Sequence, residues 1–475
     1  MPALELCLPH GSLPALLRLP SLRPAGAPSP AEVVWLDTAC GDLAAHGKTL
    51  HMSAGLWRLE RLAPNGALWP AMSPAPVLAE GSAEECGVEP STVAAQAGFR
   101  GQQHVLHFRD GDAPPVELTV TAGQLHGVVA ERPVCRLRLD GPPGGVQAAA
   151  MTLAGSLPVE VPRAGLAADA LAAARGQQPP PRHLGAPVLQ PGPLSDSIAT
   201  VISQLLDAML HWSGPAAAGD TPTPVHQMRV ATRRLRSALS IFKHAAACPE
   251  VDPLNAALRD TAAVLGAARD WDVFLGGMGA QLRESFPGER SVGPLLSAAQ
   301  RQRAAAYGAL ASHLASPEFR SLQLSLGCAA ALRPWERENR EALHNDTQPF
   351  AAEVLARRLR RVIRAGRGLK DLPIEALHEL RKDCKRLRYA AEFFEPLFPH
   401  KPAQRFLRRL SVLQEELGTL NDGAVATGLM SHLGRSARSY AAGLVVGYAT
   451  AGLAGHRASV APAWRKFKKA DPFWS

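Results

Sequence analysis

Two stretches of this chain repeat one another at a fixed distance. HQMRVATRRLRSALSIF begins at His226, and HELRKDCKRLRYAAEFF begins at His378, 152 residues later. The same offset carries LGAARDWDV, from Leu265 to Val273, onto LGTLNDGAV, from Leu417 to Val425. Two separated segments in one register restrict the fold, because each copy must be a similar supersecondary unit. Apolar positions in both copies recur at helical spacing, and Ala/Leu/Arg-rich helical segments run from residue 195 onward. Residues 195–475 are therefore expected to be all-α, as two pseudo-symmetric four-helix bundles.

The first copy concentrates charge. On a helical wheel His226, Arg229, Arg233 and Arg236 fall within about 80° of one another, with Arg234 at the flank. Leu235, Ala238, Leu239 and Phe242 form the opposite, apolar face. The second copy repeats the arrangement with His378, Arg381, Lys385 and Arg388, flanked by Lys382 and Arg386. Leu387, Ala390, Ala391 and Phe394 make its apolar back.

Like charges at i, i+3 and i+4 cost an isolated helix about 0.2–0.5 kcal/mol per pair. A helix built only for solubility would intersperse Glu to recover that loss, yet residues 226–236 hold no acid. A ligand with several negative charges relieves the repulsion. Ten residues at a rise of ~1.5 Å make a stripe about 15 Å long, which suits an extended polyanion better than one phosphate. Arginine forks match phosphate oxygens, and histidine adds a donor whose charge follows pH. A third basic helix, EVLARRLRRVIRAGRGLK, offers Arg357, Arg360, Arg361 and Arg364 on one side. Asp270, Asp272 and Asp422 follow the LG motifs and are expected to pair with the arginines of the facing helix and hold them in place.

Charge is uneven along the chain. Residues 1–184 hold 13 Lys and Arg against 16 Asp and Glu, whereas the remainder hold 38 against 26. A basic half beside a near-neutral half points to an acidic partner for the basic half. Residues 1–172 carry short alternating stretches such as EVVWLD, HVLHFRD, PVELTV and VCRLRLD between Gly/Pro turns, which predicts a mostly antiparallel β domain. Residues 173–194 are rich in Pro and Gly and read as a linker. The chain is expected to be α+β multidomain.

Several chemistries lack their residues. The seven cysteines show no C-x-x-C pair, and neither stripe histidine has a second histidine at i+4, so no metal and no cofactor is expected. GDLAAHGKT, from Gly41 to Thr49, has five residues between its glycines where a phosphate-cradling P-loop needs four. The N-terminal stretch lacks the basic-then-apolar pattern of a signal peptide. YAAGLVVGYATAGLAG, residues 440–455, is too short to span a bilayer; its small residues at every fourth position predict close helix packing. A cytoplasmic location without membrane contact is the expectation.

The motifs H-x-x-R-V-x-x-R-R-L-R, L-G-x-x-R-D-x-D-V, H-x-L-R-K-x-x-K-R-L-R-Y-x-x-E-F-F and L-G-x-L-N-D-x-x-V together resemble the CHAD family, the conserved-histidine α-helical domain, over residues 195–475. That resemblance implies helical bundles around a basic groove that binds inorganic polyphosphate, with no catalytic reaction of its own. It makes His226, Arg229, Arg233, Arg236, His378, Arg381, Lys385 and Arg388 polyphosphate ligands, with Lys382 and Arg386 at the margin. The N-terminal half resembles, more faintly, a CYTH or triphosphate-tunnel domain through the order of LELCL, VVWLDTACGDLAAHGKTL, LWRLER and PVCRLRLD. The E-x-E-x-K opening of that family stands here as Ala3, Glu5 and Cys7, and Arg136 and Arg138 occupy the place of a late E-x-E pair. Arginines repel the divalent cation that such a site holds, so a degenerate, non-catalytic tunnel is expected.

The resulting expectation is a polyphosphate-binding protein associated with polyphosphate granules. The alternatives are a metal-dependent inorganic triphosphatase acting through residues 1–172, and backbone-only binding of nucleic acid. An aromatic content of 5% leaves few base-stacking side chains along the basic stripes, which argues against single-strand recognition.

Overall fold

A computed structural model describes residues 3–62, 77–109, 114–127, 131–162, 164–177, 184–337 and 340–474. The N-terminal part is one antiparallel sheet of nine strands: β1 Ala3–Cys7, β2 Leu22–Pro24, β3 Ser29–Asp37, β4 Lys48–Ser53, β5 Leu56–Arg61, β6 Val77–Gly81, β7 Ala94–Phe108, β8 Val116–Gly127 and β9 Glu131–Asp140. Their order is β1-β9-β8-β7-β3-β4-β5-β6, with β2 also paired to β7. The four alternating stretches noted in the sequence fall on β3, β7, β8 and β9.

Alternation along the strands buries both faces. Leu4, Leu6, Leu118, Val120, Leu137 and Leu139 share a core with Val146, Ala149 and Leu153 of helix α3, Pro143–Ser156. On the other face Trp35, Phe99, Leu125 and Val134 meet Ala170, Leu171 and Ala174 of α4, Leu166–Ala174. These two helices were not anticipated; their Ala-rich sequences carry little amphipathic signal. The sheet is curled. Arg138 on β9 acts electrostatically on Glu60 of β5, five strands along the sheet order, so the two side chains share the concave side. Gly101 and Gly123 face one another across β7 and β8, where an added Cβ would lie 2.2 and 2.3 Å from backbone oxygens of the neighbouring strand. Only glycine permits that close approach.

Two four-residue helices, α1 Leu13–Leu16 and α2 Asp42–Ala45, lie in the strand connections. The P-loop-like stretch is strand, α2, strand: β4 begins at Lys48, where a P-loop would begin a helix.

The rest is helical: α5 Leu194–Ala218, α6 Pro222–Ile241, α7 Leu254–Gly276, α8 Met278–Ser285, α9 Val292–Leu314, α10 Pro317–Leu332, α11 Arg340–His344, α12 Thr347–Ala365, α13 Ile374–Phe394, α14 His400–Met430 and α15 Tyr440–Lys468. Both repeats fall on helices, the histidine motifs on α6 and α13 and the LG motifs on α7 and α14. Phe242, Phe350 and Phe394 meet with ring centroids 5.8–6.3 Å apart, joining the end of α6 to α12 and α13. The main apolar core is continuous from the sheet through α3 and α10 into these helices.

The Gly/Ala-rich run on α15 departs from expectation. Gly443 and Gly447 are exposed with no neighbour near a built Cβ, and the packed face is Ala441, Ala442, Val445 and Ala449. Gly443 and Gly447 thus lie away from the helix contact, and the later positions of the stripe, Ala451 and Gly455, fall outside the described side chains. Among the described residues no helix is long and apolar enough to cross a membrane.

Candidate polyanion-binding groove

Helix α6 opens with Pro222 and Pro224, whose missing amides cost nothing in the first turn. Val225, Met228, Ala231, Leu235, Ala238 and Leu239 bury one side, and Thr232 returns its hydroxyl to the Met228 carbonyl at 2.9 Å. That anchoring fixes the opposite side, where His226 is exposed and Arg229, Arg233, Arg234 and Arg236 are half-buried.

The second copy lies beside the first. Glu392 of α13 accepts from Arg388 at 2.6 Å and from Arg234 at 3.4 Å, so one carboxylate bridges the two histidine helices. The Arg233 guanidinium stands 5.2 Å from the centroid of the Tyr389 ring, a cation–π contact across the same seam. Arg388 also reaches Ser411 of α14 at 3.5 Å, and Ser411 donates to Glu415 at 3.1 Å. Arg381 and Lys385 are half-buried along α13, and His378 is exposed near its start.

Helix α7 adds two arginines not anticipated from the wheel. Burial, reinforced by Arg269, Arg233 and Arg229, lowers the His226 pKa. Burial also lowers Arg229, with Asp270 pulling the other way and Arg233 and Arg269 adding to the fall. Burial and then Arg259 lower Arg236. Arginine stays protonated through shifts of this kind; burial is their main cause, and neighbouring cations add to each. The Nε atoms of Arg233, Arg234 and Arg236 are buried with no acceptor among the described residues. A buried donor left unpaired costs about 1–3 kcal/mol.

The flanking residues turn elsewhere. Arg386 pairs with Asp383 at 2.9 Å, and Asp383 also takes Arg361 of α12 at 2.9 Å. Arg358 donates to the Arg386 carbonyl at 2.7 Å, and burial, then Arg386, Arg357 and Arg361, push it down to about 10. Lys382 pairs with Glu379 at 2.8 Å. Lys382 and Arg386 are thus tied to acids of α13 itself, Arg386 beside α12, while Arg388 joins α6. On the third basic helix Arg357 pairs with Glu353 at 3.3 Å, and Arg360 and Arg364 are exposed.

The acidic residues divide as well. Asp270 acts on Arg229, as expected of a positioning carboxylate. Asp272 instead accepts from Arg303 and Tyr307 of α9 at 2.7 and 2.8 Å, away from the stripe. The Asp422 side chain lies outside the described residues. Arg269 was available to sequence reasoning, since it stands inside the first LG motif. Arg259, Arg358 and the bridging role of Glu392 follow from helix neighbours that no wheel shows.

In the sheet, β1 and β9 pair Glu5 with Arg138 and Cys7 with Arg136. Arg136 lies 3.5 Å from the Glu5 carboxylate and 2.7 Å from Asp169 of α4. Burial raises the Glu5 pKa, and Arg136 and Arg138 oppose that rise. The remaining carboxylate of the expected metal motif is therefore engaged by arginine.

The double use of Glu392 makes a direct prediction. Glu392→Gln frees two arginines, so polyanion affinity should rise and its logarithmic salt slope should steepen by roughly one. Urea denaturation should show stability lower by about 1–3 kcal/mol, since half-buried arginines lose their carboxylate. Weaker polyanion binding by a folded Glu392→Gln protein would contradict this arrangement.

A helical domain whose repeated histidine helices meet along an arginine-rich seam defines the class. Residues 200–431 match the CHAD domain model, and this part of the chain is a CHAD domain. The crystal structure of the CHAD domain from the plant Ricinus communis is 29% identical and covers 62% of this chain and 98% of its own, with a TM-score of 0.53. Two uncharacterized proteins from strains of Mycobacterium tuberculosis are 27% identical over 248 residues, 50% of this chain and 45% of theirs. The match thus spans under half the length of those curated relatives.

Proposed function

We propose that the CHAD domain binds inorganic polyphosphate along the seam of α6, α7 and α13 and that this binding brings the protein to polyphosphate granules. The observation that carries the reading is the crowding of Arg229, Arg233, Arg234, Arg236 and Arg388 along one seam, where one carboxylate, Glu392, serves two of them. His226, Arg229, Arg233, Arg236, His378, Arg381, Lys385 and Arg388 are its ligands in this reading. Arg259 and Arg269 extend the field from α7, and Lys382 and Arg386 contribute at the margin. The engagement of Glu5 by Arg136 supports a non-catalytic role for the N-terminal sheet.

A fluorescently tagged full chain should gather on granules in a bacterium that stores polyphosphate and become diffuse in cells unable to make the polymer. A tag that follows the nucleoid in both strains would overturn the assignment in favour of nucleic acid.

A further inference from the structure

A second cavity of about 720 Å³ opens where the sheet meets the helical domain. One wall is the end of β1, the start of β9 and the segment around Glu160; the other comes from α5, the end of α9 and the first turns of α10. It is separate from the seam: none of the proposed polyphosphate ligands lines it. Its volume falls in the range of small-molecule sites, roughly 300–1,000 Å³.

The polar groups here are unlike those of a packed domain junction. Gln323 is only 9% exposed, lines the cavity and has no hydrogen-bond partner among the described residues. Arg320, one turn earlier on α10, lines the same wall with no ion pair among the described residues. Both stand near the start of a sixteen-residue helix capped by Ser316, whose dipole favours negative charge there. Across the cavity Arg136, with its side chain 8% exposed, lies 3.5 Å from the Glu5 carboxylate and 2.7 Å from Asp169, and its Nε is buried with no acceptor among the described residues. Asp169 holds Arg136 and Arg132 together. The described charged lining is Arg132, Arg136 and Arg320 against Glu160 and Asp169. Glu5 also pairs with Arg136, so Arg320 is the lining cation that has no ion pair among the described residues.

We infer that this cavity is a binding site for a small organic anion, a carboxylate or a phosphate ester, seated on Arg320 and Gln323 at the start of α10. The rest of the ligand lies against Val134, Leu314 and Phe319, which give the cavity its apolar floor. Glu160, on the sheet side, accepts a donor from the far end of the molecule. A ligand held from both walls also clamps the sheet to the helices.

Calorimetric titration and thermal melting of the full chain test this with adenosine 5′-monophosphate, with L-glutamate and with uncharged adenosine. One of the two anions should bind saturably and raise the melting temperature, and which one does separates phosphate ester from carboxylate; adenosine should do neither. Arg320→Gln and Gln323→Leu should each weaken that binding by about tenfold or more while leaving the unliganded melting temperature and polyphosphate binding unchanged. The Arg229→Glu/Arg381→Glu variant should bind the small anion as the parent does. Absence of saturable binding by both anions, equal binding of adenosine, or binding that survives Arg320→Gln overturns the inference. Loss of small-anion binding in the groove variant also overturns it, by assigning that binding to the seam.

Discussion

Replacing Arg229 and Arg381 together by Glu should lower affinity for long-chain polyphosphate by a factor on the order of 100 or more, with native far-UV circular dichroism. Each substitution removes a charge-assisted hydrogen bond, worth about 1.5–3 kcal/mol, and adds repulsion toward the ligand. The fold should survive because the apolar sides of α6 and α13, including Leu235, Ala238, Leu380 and Leu387, are untouched. At position 229 the glutamate loses the attraction of Asp270 and gains that of Arg233 and Arg269. Filter binding or fluorescence titration at fixed salt reads the effect. Unchanged affinity in a folded variant means that the polymer binds elsewhere.

Phe394→Ala should act in the opposite manner, costing about 3–5 kcal/mol of stability in denaturant melts. Phe394 is fully buried and meets Phe242 edge-on at 6.1 Å and Phe350 at 6.3 Å. Those contacts hold α6, α12 and α13 together, so the ring sets the spacing of the two arginine stripes. Below its lowered melting point the variant should still bind polyphosphate. A loss of stability under 1 kcal/mol, well below the roughly 3 kcal/mol floor for such truncations, would show that the aromatic junction does not fasten these helices.

The two substitutions mark what could be read from residues alone. A helical wheel separates Arg229 from Leu235 because both periodicities belong to one helix. The 152-residue offset likewise placed both His226 and His378 on helices, since a repeat in sequence is a repeat of local structure. Neither tool reports which helices become neighbours. Glu392 lies in the quoted second motif, yet its service to Arg234, 158 residues away, depends on how α6 and α13 pack. The same limit hid Asp272, which looks like a partner for the stripe and is drawn to Arg303 and Tyr307 of α9.

The N-terminal half shows a different limit. Period-two alternation marked β3, β7, β8 and β9, because one side of each strand is strongly apolar. Helices α3 and α4 were missed because runs such as GGVQAAAMTLAGS and LAADALAAA offer small side chains with no polar face to set a period. Gly443 and Gly447 of α15 face outward for a related reason. Small residues permit close packing, but the larger Val445 and the alanines beside it decided which side turned inward.

The central claim is that the seam receives a thin, flexible polyanion, and direct competition tests it. The full chain is titrated with long-chain polyphosphate and with duplex DNA at matched phosphate concentration, over a series of salt concentrations. Both complexes should weaken as salt rises, through counterion release. In the proposed reading polyphosphate lies along the arginine seam of α6, α7 and α13, and a duplex, being wider and stiffer, reaches fewer of those arginines. The account therefore predicts that polyphosphate displaces duplex DNA and persists at salt concentrations where the DNA complex has dissociated. Displacement of polyphosphate by the duplex, or loss of both complexes at the same salt, would contradict it.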